Sequence, residues 1–389
     1  MTAAGSSPSN DIDAGHQSLA VGTAGDALLQ IERALAATGT WDTAHAHVRR
    51  LAAQPVDGSD NTGLYYGLPA VAFVLHCASA ADPRYGSAAA TLDPYVLRLA
   101  RRRLLAAADR KQHGVPASFG EYDLFSGLTG IAALLLRRMP VSDVLGDVLQ
   151  NLVDLTEPRQ RDGIRVPGWW VSHDPDPILP TPGGHVNLGM AHGAAGVLAI
   201  LALAMRRGRV VDRHGEAVDR LTRWFDRWRQ HDTTGGAWWP QWLTLDELHT
   251  GHLHHPHPGR PSWCYGTPGI ARALHLAAIA TGDLARQRDA EHALAGSLTD
   301  RHIRLLTEPG LCHGLAGLYQ TAFRAAADAT NPAIAQRLPA LSAALQRATP
   351  TTASTGSGLL TGRTGHQLAE HTARHGTPHT GWDTCLLIT

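Results

Sequence analysis

The stretch Gly310-Leu311-Cys312-His313-Gly314-Leu315-Ala316-Gly317 decides the fold, because five related stretches occur elsewhere in the chain. They begin at residues 63, 123, 189, 262 and 358, and each has a glycine at its fifth position. These shared glycines are Gly67, Gly127, Gly193, Gly266, Gly314 and Gly362. An internal repeat outranks any local motif, since it predicts an architecture built from one helical unit used many times.

Each repeated stretch opens a segment that is predicted to be a helix. Residues 194–205 are apolar on almost all sides, so this helix must be buried on most of its surface. Between the repeats lie segments with a single apolar face, most clearly 141–156. Similar one-faced segments occur at roughly 25–39, 95–110, 216–230, 284–305 and 332–347.

Two kinds of helix in alternation predict an all-α fold, an α/α toroid. Six apolar helices would form an inner circle and six one-faced helices would surround it, so that neither end needs a capping repeat. An open superhelix is the alternative, but it would expose apolar ends. Short strands are expected only in the connections, at 163–171 and 237–243. The sequence predicts a flexible lead-in at 1–24, rich in small and polar residues, and one toroid domain at 25–389.

Composition restricts the functional class. Lysine plus arginine equals aspartate plus glutamate, 34 against 34, so bulk charge gives no reason to expect a nucleic-acid partner. No apolar run reaches about 18 residues, so no membrane span is expected. The N-terminus has no secretory pattern and the chain has only four cysteines, so we expect a cytoplasmic protein in which cysteine serves metal binding or catalysis.

The shared glycines precede the inner helices, so they should meet at one rim of the ring, where we expect them to allow tight turns with positive φ. Cys264 and Cys312 each stand two residues before a shared glycine, and His313 follows directly. Two cysteines and one histidine are a three-ligand zinc set that leaves the fourth position open. The sequence therefore predicts one zinc ion per chain at this rim. The alternatives are small buried cysteines, or a closed site completed by His192 or Asp123.

The same offsets select further residues for this rim. His192 precedes Gly193 and is a candidate general acid or base. Asp123 is a candidate partner for His192, or else a helix cap. Arg260 is a candidate to stabilise an oxyanion, or else an ordinary surface residue. Trp263 and Tyr265 are candidate walls of a substrate pocket, although core packing explains aromatic residues equally well.

Two other groups of residues are expected to have no catalytic role. Cys77 and Cys385 lie in apolar stretches and are predicted to be packing residues. Five histidines between 249 and 257 stand among prolines and glycines, so an exposed loop is favoured over a second metal site.

Trp263-Cys264-Tyr265-Gly266 and Cys312-His313-Gly314, preceded by the segment 188–193, resemble the lanthionine synthetase C-like proteins. Further matches are the segment 122–124, Trp239-Pro240 and Trp382, so the resemblance spans the chain from Tyr65 to the terminus. It implies a zinc-bearing toroid with Cys264, Cys312 and His313 as ligands. It also implies acid–base roles for His192 and Asp123 and a role for Arg260.

The activity implied is that of a stand-alone lanthipeptide cyclase, which adds peptide cysteine thiols to dehydroalanine or dehydrobutyrine and forms thioether rings. Its partner would be a dehydrated precursor peptide (leader plus core), and a lanthipeptide dehydratase is a further candidate partner. The connections 162–187 and 232–261 flank the repeats of His192 and Cys264, so we expect them to border the peptide entrance. The alternatives are a zinc-containing peptide-binding scaffold without activity, and a thiol-alkylating enzyme similar to protein prenyltransferases.

Overall fold

The computed structural model describes residues 16–79, 82–161, 163–175, 180–255, 257–348 and 356–389. The α-helices in this part of the chain are α1 (Thr23–Leu35), α2 (Trp41–Leu51), α3 (Leu68–Ser79), α4 (Arg84–Gln112), α5 (Phe119–Tyr122), α6 (Leu128–Arg138), α7 (Asp143–Leu155), α8 (Ala194–Arg206), α9 (His214–Trp228), α10 (Leu245–Thr250), α11 (Thr267–Thr281), α12 (Leu284–Gly296), α13 (Asp300–Arg304), α14 (Leu315–Asp328), α15 (Leu338–Arg347) and α16 (Arg363–His375). The strands are β1 (Arg159–Arg161), β2 (Ile164–Val166), β3 (His185–Asn187), β4 (Gln230–His231), β5 (Ala237–Trp238) and β6 (Trp242–Thr244).

The helices form the predicted α/α toroid. The inner circle runs α1, α3, α6, α8, α11, α14, α16, and α16 packs against α1 to close it. Helices α2, α4, α7, α9, α12 and α15 pack outside their preceding inner helices. Across the described residues there are thus six outer helices, as predicted, and seven inner helices, one more than the sequence analysis assigned.

The additional inner helix is α1, which the sequence analysis had assigned to the outer layer as residues 25–39. Residues 18–25 form a seventh copy of the repeat. Gly22 stands at the position of the shared glycine, and Gly25 follows three residues later. This copy carries no cysteine, histidine or aromatic residue, so it adds no candidate site residue. The predicted flexible lead-in at 1–24 is therefore too long, since Leu19 is fully buried within the ring. Residues 1–15 lie outside the described residues.

Backbone hydrogen bonds join the seven loops that precede the inner helices. We call this set of loops the belt. The bonds run from the N–H of one loop to the carbonyl oxygen of the next: Leu19 to Tyr65 (3.0 Å), Tyr65 to Phe125 (3.3 Å), Leu124 to Ala191 (3.1 Å), Ala191 to Cys264 (3.2 Å), Cys264 to Cys312 (3.2 Å), Cys312 to Leu360 (3.0 Å) and Leu360 to Ala20 (3.1 Å). The belt fixes the residues two before each shared glycine at one level around the ring.

The shared glycines are required for space, and the expectation of positive φ was wrong for all but one of them. Only Gly67 has positive φ (+70°), and the others cap their helices with extended backbone. A Cβ on Gly266 would lie 2.3 Å from the backbone nitrogen of Ser262, and one on Gly314 would lie 2.3 Å from the carbonyl oxygen of Glu308. The loops therefore fold back onto their own helix starts more closely than any side chain permits.

The C-terminal segment fills the inside of the ring. A 3-10 turn at Trp382–Leu386 is followed by residues up to Ile388, most of them fully buried. Inner-helix and belt residues bind its backbone: the Tyr65 hydroxyl donates to the Cys385 carbonyl at 2.9 Å, and the Arg272 guanidinium donates to the Ile388 carbonyl at 2.8 Å. The segment thus ties several repeats together at the axis.

The long connections carry short antiparallel ribbons. Strand β1 pairs with β2, and β4 pairs with β5, so the ribbons predicted at 163–171 and 237–243 are confirmed in part. Strand β3 pairs with β6, joining the two connections, with Asn187 opposite Trp242. No helix within the described ranges is long and apolar enough to cross a membrane.

Candidate metal centre and cleft

Three side chains on two neighbouring belt loops form a candidate metal centre. One ligand atom each from Cys264, Cys312 and His313 lies within 4.8 Å of the other two. Their loops are held together by the 3.2 Å hydrogen bond between the Cys264 N–H and the Cys312 carbonyl. Tetrahedral zinc, with Zn–S and Zn–N bonds of about 2.3 and 2.1 Å, requires ligand atoms roughly 3.5–3.8 Å apart. The residues present therefore fit a zinc ion after small side-chain adjustments.

The electrostatics of the three groups also suit a cation. A hydrogen bond from the Cys312 thiol lowers the pKa of Cys264 well below its usual range, and contacts with His313 and Ser262 add to this effect against burial. The pKa of Cys312 is raised in return, because its proton is shared with the Cys264 sulfur and because the thiol is buried. One thiol therefore ionises readily while the second ionises only if positive charge is supplied, and a divalent metal supplies it.

Glu308 orients the histidine of this group. Its Oε2 is 2.7 Å from Nε2 of His313, which leaves Nδ1 to face the cysteines. A carboxylate on the distal nitrogen of a metal-binding histidine is a common arrangement, because it fixes the tautomer and the ring orientation. Arg260 contacts the other Glu308 oxygen at 3.5 Å, and its side chain is half exposed. Arg260 therefore lies at the edge of the metal centre, near enough for its charge to favour the Cys312 thiolate.

Asp123 and His192 form a second pair on two neighbouring belt loops, three and two loops before that of Cys312. The Oδ2 atom of Asp123 is 2.6 Å from Nδ1 of His192. The other carboxylate oxygen accepts the N–H groups of Ser126 and Gly127, at 2.8 and 2.9 Å. One oxygen of Asp123 thus holds His192, and the other braces the turn before α6, while α6 itself has no side-chain cap. Because a carboxylate accepts the Nδ1 proton, Nε2 is the ring nitrogen left for proton transfer.

Aromatic rings enclose His192 on three sides. Phe119 stacks on it at 5.0 Å between ring centroids, Phe125 meets it edge-on at 4.7 Å, and Tyr265 is 6.0 Å away. Burial, and then the charges of Cys264 and Cys312, raise the pKa of the Tyr265 phenol. Tyr265 therefore lies near both the histidine and the cysteines, and its role as a wall of a substrate pocket stays a prediction.

Trp263 does not line the cleft, contrary to the prediction. It is fully buried, and its indole N–H donates to the Leu386 carbonyl at 2.9 Å. Its position, three before the shared glycine, is apolar and buried in every copy of the repeat. The equivalent residues are Leu19, Leu64, Leu124, Met190, Leu311 and Leu359. That pattern identifies Trp263 as a core residue attached to the C-terminal segment.

Several residues of the site are not among those that the sequence predicts. Phe125 occupies the same repeat position as Cys264 and Cys312, so the offset itself could have found it. Phe119 and Glu308 lie outside the repeated stretch, and nothing in the sequence pattern indicates them. Among the described residues, only Cys264, Cys312 and His313 group as metal ligands, so the histidines at 249–257 that are described form no second site. Cys77 and Cys385 are fully buried and their pKa values are raised by burial, in agreement with packing roles.

Comparisons with known proteins agree with this geometry. The family model described as "Lanthionine synthetase C-like protein" matches residues 13–387. The nisin biosynthesis protein NisC of Lactococcus lactis subsp. lactis is 28% identical over 213 residues, which is 51% of this chain and 48% of the relative. The chain thus aligns with about half the length of that curated relative. A solved structure named nisin cyclase superposes with a TM-score of 0.80 at 20% identity, covering 97% of this chain and 93% of that one. The chain belongs to the lanthionine synthetase C-like family.

Proposed function

We propose that the protein is a zinc-dependent lanthipeptide cyclase that closes thioether rings in a dehydrated precursor peptide. The observation that carries the proposal is the grouping of Cys264, Cys312 and His313 on the belt, next to the Asp123–His192 pair. Three protein ligands leave one position of a tetrahedral metal for substrate, which is the arrangement of a catalytic zinc site. The names of the similar proteins point to the same chemistry.

A zinc ion bound there would hold the cysteine thiol of the peptide as a thiolate, which at neutral pH is otherwise a minor species. The sulfur then adds to the β-carbon of a dehydroalanine or dehydrobutyrine in the same peptide. A C–S bond forms, the electron pair of the C=C bond moves to the α-carbon and its carbonyl, and a proton must be delivered to the α-carbon. The thiol proton is lost and one proton is gained, so ring closure leaves the mass unchanged.

His192 is the residue we assign to that proton delivery. Its Nδ1 is engaged by Asp123, so Nε2 would carry the proton that moves to the α-carbon. Asp123 has two candidate roles, to hold His192 or to accept the incoming thiol proton. The 2.6 Å contact with His192 supports the first role. Because Phe119, Phe125 and Tyr265 surround the imidazole, bulk water has limited access to it.

Arg260 is the residue we assign to the developing enolate oxygen. Its half-exposed side chain makes only a long contact with Glu308, so it can turn towards a bound peptide. A fixed positive charge near the enolate stabilises the transition state. An Arg260→Lys variant should retain part of the activity and Arg260→Ala should lose most of it, because the charge is kept in the first and removed in the second. Equal activity in Arg260→Ala and in the unmodified protein would exclude this role.

The test of the proposal is ring closure itself. A peptide containing one cysteine and one dehydroalanine is incubated with the zinc-loaded protein, and the remaining thiols are then alkylated and counted by mass spectrometry. We expect the alkylatable thiol to disappear without a change in mass. A metal-loaded protein that binds the peptide and leaves its thiol free would instead support the scaffold alternative.

A further inference from the structure

The long connections form a groove that the reaction described above does not use. Its volume is about 610 Å³, and residues of three segments line it: 180–182, 239–247 and 254–259. The first segment belongs to the connection 162–187 and the other two belong to the connection 232–261, and the β3–β6 ribbon joins these connections. We call it the ribbon groove. Its lining includes Trp239, Pro240, Trp242, Pro180 and Pro182, so rings and other apolar surface dominate it.

The walls of the groove are held in place by hydrogen bonds. The indole N–H of Trp239 donates to the Phe225 carbonyl at 2.8 Å. Glu247, which is buried, closes a capping box with Thr244 at the start of α10 and accepts the N–H of His254 at 2.8 Å. The same carboxylate therefore joins Thr244 to the histidine-bearing segment 254–259. The groove is a formed feature of the fold, comparable in volume with the ~300–1,000 Å³ of ordinary ligand sites.

The groove reaches the catalytic rim through two short chain segments. Trp242 pairs with Asn187, and the Leu188 N–H donates to the Gln241 carbonyl at 2.9 Å. His192 follows five residues after Asn187, and Cys264 follows five residues after Gly259 in the groove lining. Five residues span at most about 18 Å when extended. Gly259 of the lining therefore lies within that distance of Cys264, and Asn187, the strand partner of Trp242, lies within it of His192.

The chemistry of the groove favours an extended, apolar peptide. The carboxylates along it are hydrogen-bonded to other residues of the lining: Asp246 lies 2.9 Å from Nε2 of His254, and the Glu247 oxygens accept from Thr244 and from the backbone N–H of His254. Most of the surface open to a ligand is apolar and comes from the tryptophan and proline rings. Aromatic and proline surfaces bind extended chains by burying alternate side chains, with little entropy lost from the groove itself.

We propose that the ribbon groove binds an extended segment of the precursor peptide that carries apolar side chains and lies about five to ten residues from the reacting cysteine. The proposal rests on the function proposed above. The groove would bind a part of the peptide that is remote from the reacting cysteine, while the metal centre and His192 act on the cysteine and the dehydrated residue.

Two synthetic peptides test this. The short probe has six residues with one cysteine and one alanine in place of dehydroalanine, so it binds without reacting. The long probe adds ten N-terminal residues in which leucine, isoleucine and phenylalanine alternate with serine. In the zinc-loaded full-length protein, we expect Trp242→Ala to raise the Kd of the long probe about tenfold, as loss of one buried aromatic contact predicts, and to leave that of the short probe unchanged. Fluorescence anisotropy of labelled probes measures both constants.

Trp41→Ala is the matched control, because Trp41 is also partly buried but lies on the outer helix α2, 6.3 Å from Tyr85. A second pair of variants covers the case in which Trp242→Ala fails to fold. His255→Ala/His257→Ala changes exposed residues that line the groove, and His249→Ala/His252→Ala changes exposed residues that do not. We expect weaker binding of the long probe only in the first of these.

If the groove variants and their controls bind the long probe equally, the proposal is overturned. Because the probes cannot react, this outcome is separate from the fate of the proposed function. If the protein closes no ring but the groove variants still weaken binding of the long probe, the cyclase proposal is refuted and the groove proposal stands. If the protein closes rings but the groove variants bind the long probe normally, the groove proposal is refuted and the cyclase proposal stands.

Discussion

The carboxylate of Asp123 binds two partners at once: Oδ2 lies 2.6 Å from Nδ1 of His192, and Oδ1 accepts the backbone N–H groups at the start of the next helix. Asp123 therefore connects His192, the candidate acid–base residue, to the turn that precedes α6. Replacing His192 should have a different consequence from replacing Asp123.

His192→Asn should abolish ring closure while zinc content and thermal stability stay close to those of the unmodified protein, because His192 is partly exposed and is not needed as a ligand. Asp123→Ala should lose activity and also stability, by about 1–3 kcal/mol, since two backbone N–H groups and the His192 ring lose their acceptor. Activity assays, metal analysis and thermal unfolding of both variants make the comparison. Zinc loss in His192→Asn would make His192 a ligand and the site closed.

Zinc binding should depend on Cys312 and not on Cys77. Cys312→Ala removes one of three ligands, so we expect most of the metal to be lost on dialysis against a weak chelator. Cys77→Ala is the control, because Cys77 is fully buried in α3, away from the belt. Elemental analysis should give about one zinc per chain for the control and for the unmodified protein. A full complement of zinc in Cys312→Ala would disprove the ligand assignment.

Glu308→Ala should weaken zinc binding without removing a ligand. Without the carboxylate the His313 ring is free to rotate. Loss of a residue that hydrogen-bonds a metal ligand typically lowers metal affinity about 10–100-fold. Glu308→Gln keeps an acceptor at Nε2 and should recover part of the loss. Competition with a chromophoric chelator measures the affinities. Equal affinity in all three proteins would mean that the 2.7 Å contact does not orient the histidine.

The second glycine of the repeat should be essential for stability even in a copy that carries no candidate metal ligand. A Cβ on Gly365 would lie 1.9 Å from the Leu359 carbonyl oxygen, so Gly365→Ala must displace the belt and should cost at least about 1–3 kcal/mol. Gly146 in α7 has no atom within 4 Å of its Cβ position, and Gly146→Ala should be stabilising by about 0.4–1 kcal/mol. Denaturant unfolding of the two variants should shift in opposite directions. Similar shifts would refute the steric account of the repeat.

The repeat made most of the fold and the grouping of the candidate metal ligands predictable, for a physical reason. Equal offsets from the shared glycine become equal heights on the belt, so Cys264, Cys312 and His192 could be placed together from the sequence. The same logic would have identified Trp263 as core, since its position is apolar in every copy. Glu308 and Phe119 reach the site from irregular connections, whose course depends on tertiary packing and has no period. Glycine spacing alone also indicates the seventh copy at 18–25, whose Gly22 and Gly25 match the glycines of the other copies.

The measurement that most directly tests the central claim is thiol counting on a single-cysteine, single-dehydroalanine peptide, with the zinc-loaded protein, the chelated protein and His192→Asn run in parallel. The account predicts that the zinc-loaded protein removes the alkylatable thiol at unchanged mass, faster than the uncatalysed reaction. The chelated protein and His192→Asn should not exceed the uncatalysed rate. A thiol that persists with the zinc-loaded protein, or that disappears equally fast after chelation, would contradict the account.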